Sequence, residues 1–237
     1  MSKTFSDRSV RLDFYVSHTL GLSRKDAKVL ISRGQISVNG KEIKKANHTV
    51  VAEDNVFFGE EQLAWPREKY FVMNKPMGYV CATEDGEHPV VLDLIAQPDQ
   101  KDLRVVGRLD LDTTGLLLLT TDGQWLHRIT SPKHDCAKQY RAWTADVVTD
   151  EALEQLVTGV QLNNEDGQTR AVEAVRVSEK EILLTITEGK YHQVKRMLAA
   201  TGNRVVALHR EKISTLTLEG LEEGAYRTLT DAEVALF

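Results

Sequence analysis

The chain opens on a short amphipathic pattern. Leu12, Val16 and Leu20 recur at i, i+4 and i+8, the spacing of a helix with one buried stripe, and Gly21 ends it. Ser23 stands three residues ahead of Asp26, a short-armed capping box that opens a second helix. Ala27, Leu30 and Ile31 form the inner face of that helix and Gly34 stops it. Ile36 and Val38 then alternate with Gln35 and Ser37, followed by Asn39-Gly40 and Lys41 to Ile43. Asn-Gly between two short alternating runs is the strongest local hairpin signal. Val50–Arg67 reads as a last strand and an acidic connector carrying Glu53, Asp54, Glu60 and Glu61, punctuated by Trp65-Pro66. The expected organisation is a small domain over 8–50, a linker over 51–67 and a large domain over 68–237.

In the large domain the period shortens. Strands are predicted at Tyr70–Met73 (stopped by Asn74-Lys75-Pro76), Leu116–Thr121 (ended by Asp122-Gly123), Thr144–Val148, Val172–Val177 and Ile182–Thr187. Helices are predicted at Gln124–Ile129, Asp150–Gly159 and His192–Ala200, the middle one capped by Thr149 or Asp150. Strands outnumber helices and do not alternate with them one for one. The fold class is therefore α+β, with a mixed, mainly antiparallel sheet rather than a doubly wound one.

Composition narrows the class without naming a function. A chain of 237 residues with 41% hydrophobic and 27% charged residues is neither disordered nor fibrous. Its longest aliphatic run, Leu116–Leu119, is far short of the ~20 residues a membrane span needs. The N-terminus, with Lys3, Asp7 and Arg8, lacks the apolar run of a secretory signal, and Cys81 and Cys136 are expected to be free thiols in a reducing cytoplasm. The net charge of −5 argues against a nucleic-acid partner until it is split. Between Arg8 and His48 nine Lys or Arg face three acids, a net +6, so the remainder carries −11. A second stretch, Lys190–Lys212, is net +5. In the first stretch Arg24, Lys25 and Lys28 fall on the outer side of the second helix. Helix, helix and hairpin with one basic face resembles the alpha-L RNA-binding motif of a ribosomal protein and several RNA-modifying enzymes. Such a face binds backbone phosphates, giving salt-dependent affinity rather than sequence choice.

The common catalytic signatures GxGxxG, GxxxxGK[ST], GxSxG and HExxH are absent, so those readings lose their motif support. His134, Asp135 and Cys136 are metal-capable types side by side, but no second cluster stands at ligand spacing, and no metal site is expected. The segment that stands out is Gly107-Arg108-Leu109-Asp110-Leu111-Asp112-Thr113-Thr114-Gly115, a polar knot between two apolar strands. Asp112, Thr113 and Thr114 fit a turn with Asx-type hydrogen bonds. Asp110, after its Gly-Arg-Leu entry, asks for a chemical reason. Asp110-Leu111-Asp112-Thr113-Thr114 also matches the Asp-x-Asp-x-Thr loop of haloacid-dehalogenase-type phosphatases. No convincing later acidic pair for Mg²⁺ accompanies it.

A broader resemblance covers about 130 residues. Gly107-Arg108-Leu109-Asp110 with Thr113-Thr114-Gly115-Leu116 is similar to the catalytic motif of RNA pseudouridine synthases. Asn74-Lys75-Pro76 with Gly78-Tyr79 resembles their opening signature. Thr121-Asp122-Gly123, Arg128, Pro132 and Lys138-Gln139-Tyr140 resemble the next block, and Glu188 to Met197 the C-terminal one. Gly78-Tyr79-Val80-Cys81 and Asp122 to Pro132 carry a closer likeness to the branch acting on the small ribosomal subunit. The resemblance implies an alpha-L domain ahead of a synthase domain, and isomerisation of uridine to pseudouridine in 16S rRNA. The implied target is uridine 516, with a large-subunit site as the alternative. It implies Asp110 as the catalytic carboxylate, Lys195 as the cation keeping it ionised, and Tyr140 as the ring stacking on the target base. Arg108 is implied as the side chain filling the gap left by the flipped nucleotide. Arg24, Lys25, Lys28, Lys190, His192 and Arg196 are expected to contact RNA. The reaction moves no electrons or phosphoryl groups, so no cofactor or metal is expected. The expected partner is ribosomal RNA within a small-subunit assembly intermediate, with no membrane, and the protein is expected to act as a monomer. A non-enzymatic assembly factor would share the basic module but gives no account of the Arg-Leu-Asp knot.

Overall fold

The computed structural model describes residues 9–65, 68–96, 100–131 and 134–237. Arg8, Pro66 and Pro132, used in the sequence reading, lie outside them. The chain divides into two compact units, one reaching Glu68 and the other starting at Lys69.

The first unit runs β1 (Val10–Arg11), α1 (Leu12–Leu20), α2 (Arg24–Ser32), β2 (Ile36–Val38), β3 (Lys41–Glu42), β4 (Thr49–Val50), β5 (Val56–Phe58) and β6 (Glu61–Gln62). Gly21 caps α1 in the left-handed conformation (φ 65°), which glycine adopts without steric cost. Ser23 caps α2 as expected, its hydroxyl accepting the Asp26 amide at 3.2 Å. Asn39 and Gly40 both take positive φ and turn β2 into β3. Leu12, Tyr15, Val16, Ala27, Ile31, Ile36, Val50 and Val56 make one core. The linker expected over 51–67 is corrected here. Val56–Phe58 pairs with Ile36–Val38, and Glu61–Gln62 pairs with β5, completing a four-stranded sheet β3-β2-β5-β6. Val56 is fully buried, so this stretch supplies core that a 45-residue module lacks.

The second unit contains β7 (Tyr70–Lys75), β8 (Arg104–Val106), β9 (Thr113–Thr120), α3 (Gly123–Thr130), β10 (Lys138–Thr144), α4 (Asp150–Thr158), β11 (Val160–Gln161), β12 (Gln168–Thr169), β13 (Glu173–Ser178), β14 (Glu181–Ile186), α5 (Gln193–Ala200), β15 (Val205–Ile213), β16 (Leu216–Thr217), β17 (Tyr226–Thr228) and α6 (Asp231–Val234). A nine-stranded sheet is ordered β13-β14-β10-β15-β9-β7-β17, with β16 on β15 and β8 on β9. Among its described pairs β15 and β9 alone run parallel. The mixed, mainly antiparallel α+β expectation therefore holds. Leu116, Leu117, Leu118 and Leu119 are fully buried because β9 is central and covered on both faces. Leu117 and Leu119 join Val194, Met197 and Leu198 of α5, whereas Leu116 and Leu118 join Trp125 and Ile129 of α3.

Three local expectations shift. Thr113 and Thr114 start β9 instead of closing a turn. The strand expected at Thr144–Val148 lies upstream, ending at Thr144, with Lys138, Tyr140 and Ala142 inward. The first strand of this unit continues through Asn74 to Lys75. Gly115 explains how β9 approaches β15 so closely. Its φ is +108°, and a Cβ there would sit 2.4 Å from the Arg210 carbonyl oxygen.

Candidate active site

Residues 107–112 form the short loop from β8 into β9, and five features fix it. Gly107 turns the chain with φ 70°. The Thr113 amide donates to the Asp110 carbonyl at 3.1 Å, and the Gly78 amide to that of Leu111 at 2.9 Å. Leu109 is buried in the core, its amide 3.4 Å from Cys81 Sγ. The fifth anchor is Lys75, at the end of β7 and fully buried. Its ammonium donates to the carbonyls of Pro76 (3.0 Å), Asp110 (3.0 Å) and Thr113 (2.8 Å). Burial pushes the Lys75 pKa down, but nearby acids oppose that shift. A charged donor shared by three carbonyls sets the backbone from which Asp110 projects.

The Asp110 side chain faces α5. Lys195 Nζ lies 3.0 Å from Asp110 Oδ2 and 2.6 Å from Asp112 Oδ1. Burial opposes the Lys195 charge, yet hydrogen bonds to Asp112 and Asp110 outweigh it and raise its pKa. The hydrogen bond from Lys195 in turn lowers the Asp112 pKa. His192 Nε2 lies 3.3 Å from Asp110 Oδ1. His192 starts α5 with a left-handed backbone, φ 47°, uncommon for a residue with a Cβ and characteristic of sites where strain serves geometry.

Arg108, Asp110, Tyr140, Lys190, His192 and Lys195 line one cleft, floored by Leu208. Six of the residues singled out from sequence thus converge. Arg108 is exposed and makes no hydrogen bond among the described residues. Tyr140, 8% exposed on β10, opposes Arg210 on β15, whose Nη1 donates to the Tyr140 hydroxyl at 3.2 Å. Arg210 is 1% exposed, its Nε donates to the Leu116 carbonyl at 2.8 Å, and its Nη2 has no partner among the described residues. Lys190 is held by Thr169 Oγ1 at 2.8 Å and Glu188 Oε2 at 3.1 Å. A larger depression of about 920 Å³ shares Gly189 and Lys190 with this cleft but includes none of Asp110, Tyr140 or Lys195.

Arg196 does not join the site. It binds Glu165 Oε1 at 2.9 Å, the Tyr191 carbonyl at 3.1 Å and the Asn163 carbonyl. The +5 stretch is likewise less of a surface than its sum suggests, because Arg210 is buried and Lys195 and Arg196 are ion-paired. Sequence reasoning missed Lys75 and Arg210. Lys75 sits in a stretch quoted for its resemblance, and that was the available signal. Among the described residues no group of three His, Cys, Asp or Glu is arranged to hold a metal, so the run His134-Asp135-Cys136 builds no such site.

In the first unit Asp13 is fully buried beneath three cations: Arg11 Nη2 at 2.9 Å, Arg24 Nη2 at 2.8 Å and Lys28 Nζ at 3.9 Å. Burial alone would raise the Asp13 pKa. Hydrogen bonds from Arg11 and Arg24 win and hold it at about 2. The carboxylate gathers Arg24 and Lys28 into one basic patch, with Lys25 exposed on the same helix. No described helix is long and apolar enough to cross a membrane.

Comparison with known proteins fits both units. Residues 69–200 match the family model described as RNA pseudouridylate synthase, and residues 10–56 match the S4 domain model. Ribosomal small subunit pseudouridine synthase A of Salmonella typhimurium is 46% identical over 228 residues, covering 95% of this chain and 99% of the relative. The protein of that name from Escherichia coli K12 is 45% identical with the same coverage. A solved structure described as a pseudouridylate synthase superposes with a TM-score of 0.69 at 42% identity, over 96% of this chain and all of that one. The Asp110 loop thus lies inside a matched synthase domain behind a matched S4 domain, and the chain belongs to the RNA pseudouridylate synthase family.

Proposed function

We propose that the protein isomerises uridine to pseudouridine in 16S rRNA, at uridine 516, acting as a cytoplasmic monomer on a small-subunit assembly intermediate. The names of its full-length relatives support the small-subunit assignment. The observation that carries the chemistry is the Asp110–Lys195 pair at 3.0 Å in a cleft that also contains Tyr140. Breaking the N1–C1′ bond, turning the base and joining C5 to C1′ needs no electron or phosphoryl transfer, so no cofactor enters. A single carboxylate suffices as the participating group. Asp110 takes that role, and the Lys195 ammonium, 3.0 Å from its Oδ2, supplies the positive charge beside it. Tyr140 stacks on the uracil. Arg108, exposed and without a hydrogen-bond partner among the described residues, occupies the space vacated by the flipped nucleotide and offsets part of a cost of a few kcal/mol. The basic patch around Arg24, Lys25 and Lys28 holds phosphates.

The phosphatase reading fits less well. It needs Asp110 and Asp112 free to share a metal, yet Lys195 lies between them, 3.0 and 2.6 Å from their oxygens. The deciding experiment is carbodiimide labelling with primer extension on rRNA from a strain lacking the gene. Loss of one stop at uridine 516, restored by the gene, is expected. Loss of a large-subunit stop would move the substrate to that subunit, and an unchanged pattern would overturn the proposal.

A further inference from the structure

Tyr191 is 73% exposed, the highest value among the large apolar and aromatic side chains of the described residues. Burying an aromatic ring is favourable, so one left in water beside a reactive cleft asks for an occupant. The ring is not loose. It stacks on His192 with centroids 3.8 Å apart and planes 19° from parallel. His192 in turn meets Asp110 at 3.3 Å, so one imidazole separates the Tyr191 ring from the site carboxylate. The backbone beneath is fastened as well. Arg196 donates to the Tyr191 carbonyl at 3.1 Å, and the Lys190 amide donates to Gln193 Oε1 at 3.0 Å. One ring face is therefore packed on His192 and the other is open to solvent. Holding the ring in advance removes the entropy cost of ordering it on binding.

We infer that Tyr191 is a stacking platform for an RNA base next to the isomerised uridine. This rests on the proposed function. Extruding a nucleotide strips its neighbour of a stacking partner, at a cost of a few kcal/mol. A flat aromatic face at the rim restores that partner. Every base has a π-face, so the contact tolerates sequence. Arg108 and Tyr191 then divide the work: Arg108 enters the gap and Tyr191 receives the base that moves.

The test uses the full-length protein and a 16S rRNA fragment spanning the target, with 2-aminopurine placed on either side of the uridine in turn. Asp110→Asn is the background, so the RNA remains substrate. Binding should quench the fluorophore on one side. Tyr191→Leu should abolish that quench and raise Kd roughly 10- to 100-fold, while Tyr191→Phe retains both the quench and the affinity. Equal quenching by Tyr191→Leu and its background on both sides would overturn the inference. So would a Tyr191→Leu protein, carrying native Asp110, whose kcat falls at unchanged KM, because the ring would then serve only to hold His192. Failure of the parent protein to form pseudouridine would instead refute the proposed function, whereas a parent that forms pseudouridine with no Tyr191-dependent quench refutes the platform alone.

Discussion

Replacing Lys75 by Met shortens the side chain by one atom and removes its charge. In the folded protein the ammonium reaches three carbonyls at 2.8–3.0 Å from a fully buried position. Charged hydrogen bonds contribute about 1.5–3 kcal/mol each. The Asp110 carbonyl keeps the Thr113 amide at 3.1 Å, so the loss falls mainly on Pro76 and Thr113. Relief from burying an ammonium offsets part of it, leaving a net cost of about 2–4 kcal/mol. For a domain of this size that lowers the unfolding midpoint by about 5–15 °C in calorimetry. The functional consequence is larger than the stability figure suggests. The same carbonyls set the loop that aims Asp110 at Lys195, and a misplacement of ~1 Å costs on the order of 100-fold in rate. At a temperature where the variant is folded, kcat should therefore fall about 100-fold with KM changed less than threefold. A Lys75→Met protein with the parental midpoint and turnover would refute the claim that this ammonium fixes the loop.

Further outcomes follow from the same geometry. Lys195→Met should cut single-turnover rates by at least 100-fold, because Asp110 and Asp112 lose their shared cation. Asp112→Asn should cost less than about threefold, since its side chain is 65% exposed and the Asp110–Lys195 pair survives; equal losses in the two variants would favour two cooperating acids. In the S4 unit the Asp13 pKa falls from an ordinary 3.8 to about 2, so its stabilising contribution is full above pH 3.8 and disappears as pH falls through about 2. Circular dichroism titration should show that acid sensitivity in the parent and a flatter curve for Asp13→Asn, which is also less stable near neutrality. Replacing Arg24, Lys25 or Lys28 by Ser should each reduce the slope of log K against log salt by roughly 0.7–0.9, read from RNA-binding isotherms. An unchanged slope would remove that residue from the RNA face.

Local signals were legible where the chain makes its own structure. The periodic apolar positions of α1 and α2, the Ser23 cap and the Asn39-Gly40 turn depend on neighbours within four residues, and all recur in the fold. Val56–Phe58 reads as linker in sequence because its strand partner, Ile36–Val38, is some 20 residues distant and its flanks are acidic. Thr113 and Thr114 look like turn residues in isolation but are drawn into β9 by pairing with Leu208 and His209, nearly 100 residues away. In the site, Asp110, Lys195, Tyr140 and His192 were legible through motif resemblance. The supporting cations Lys75 and Arg210 were not, since a lysine or arginine is read as surface by default and only tertiary packing shows these two inside. The Arg196 ion pair is invisible in sequence for the converse reason: its acid, Glu165, lies 31 residues away.

In the proposed reaction, Asp110 is the group on which uridine isomerisation turns. It is tested most directly by incubating purified parent and Asp110→Asn proteins with small-subunit RNA or assembly particles, then mapping pseudouridine by carbodiimide-dependent primer extension. A single new stop is expected with the parent protein and none with Asp110→Asn, although the variant binds the RNA with parental affinity and unfolds at the parental temperature. A folded, RNA-binding Asp110→Asn protein that still produces the stop would contradict it.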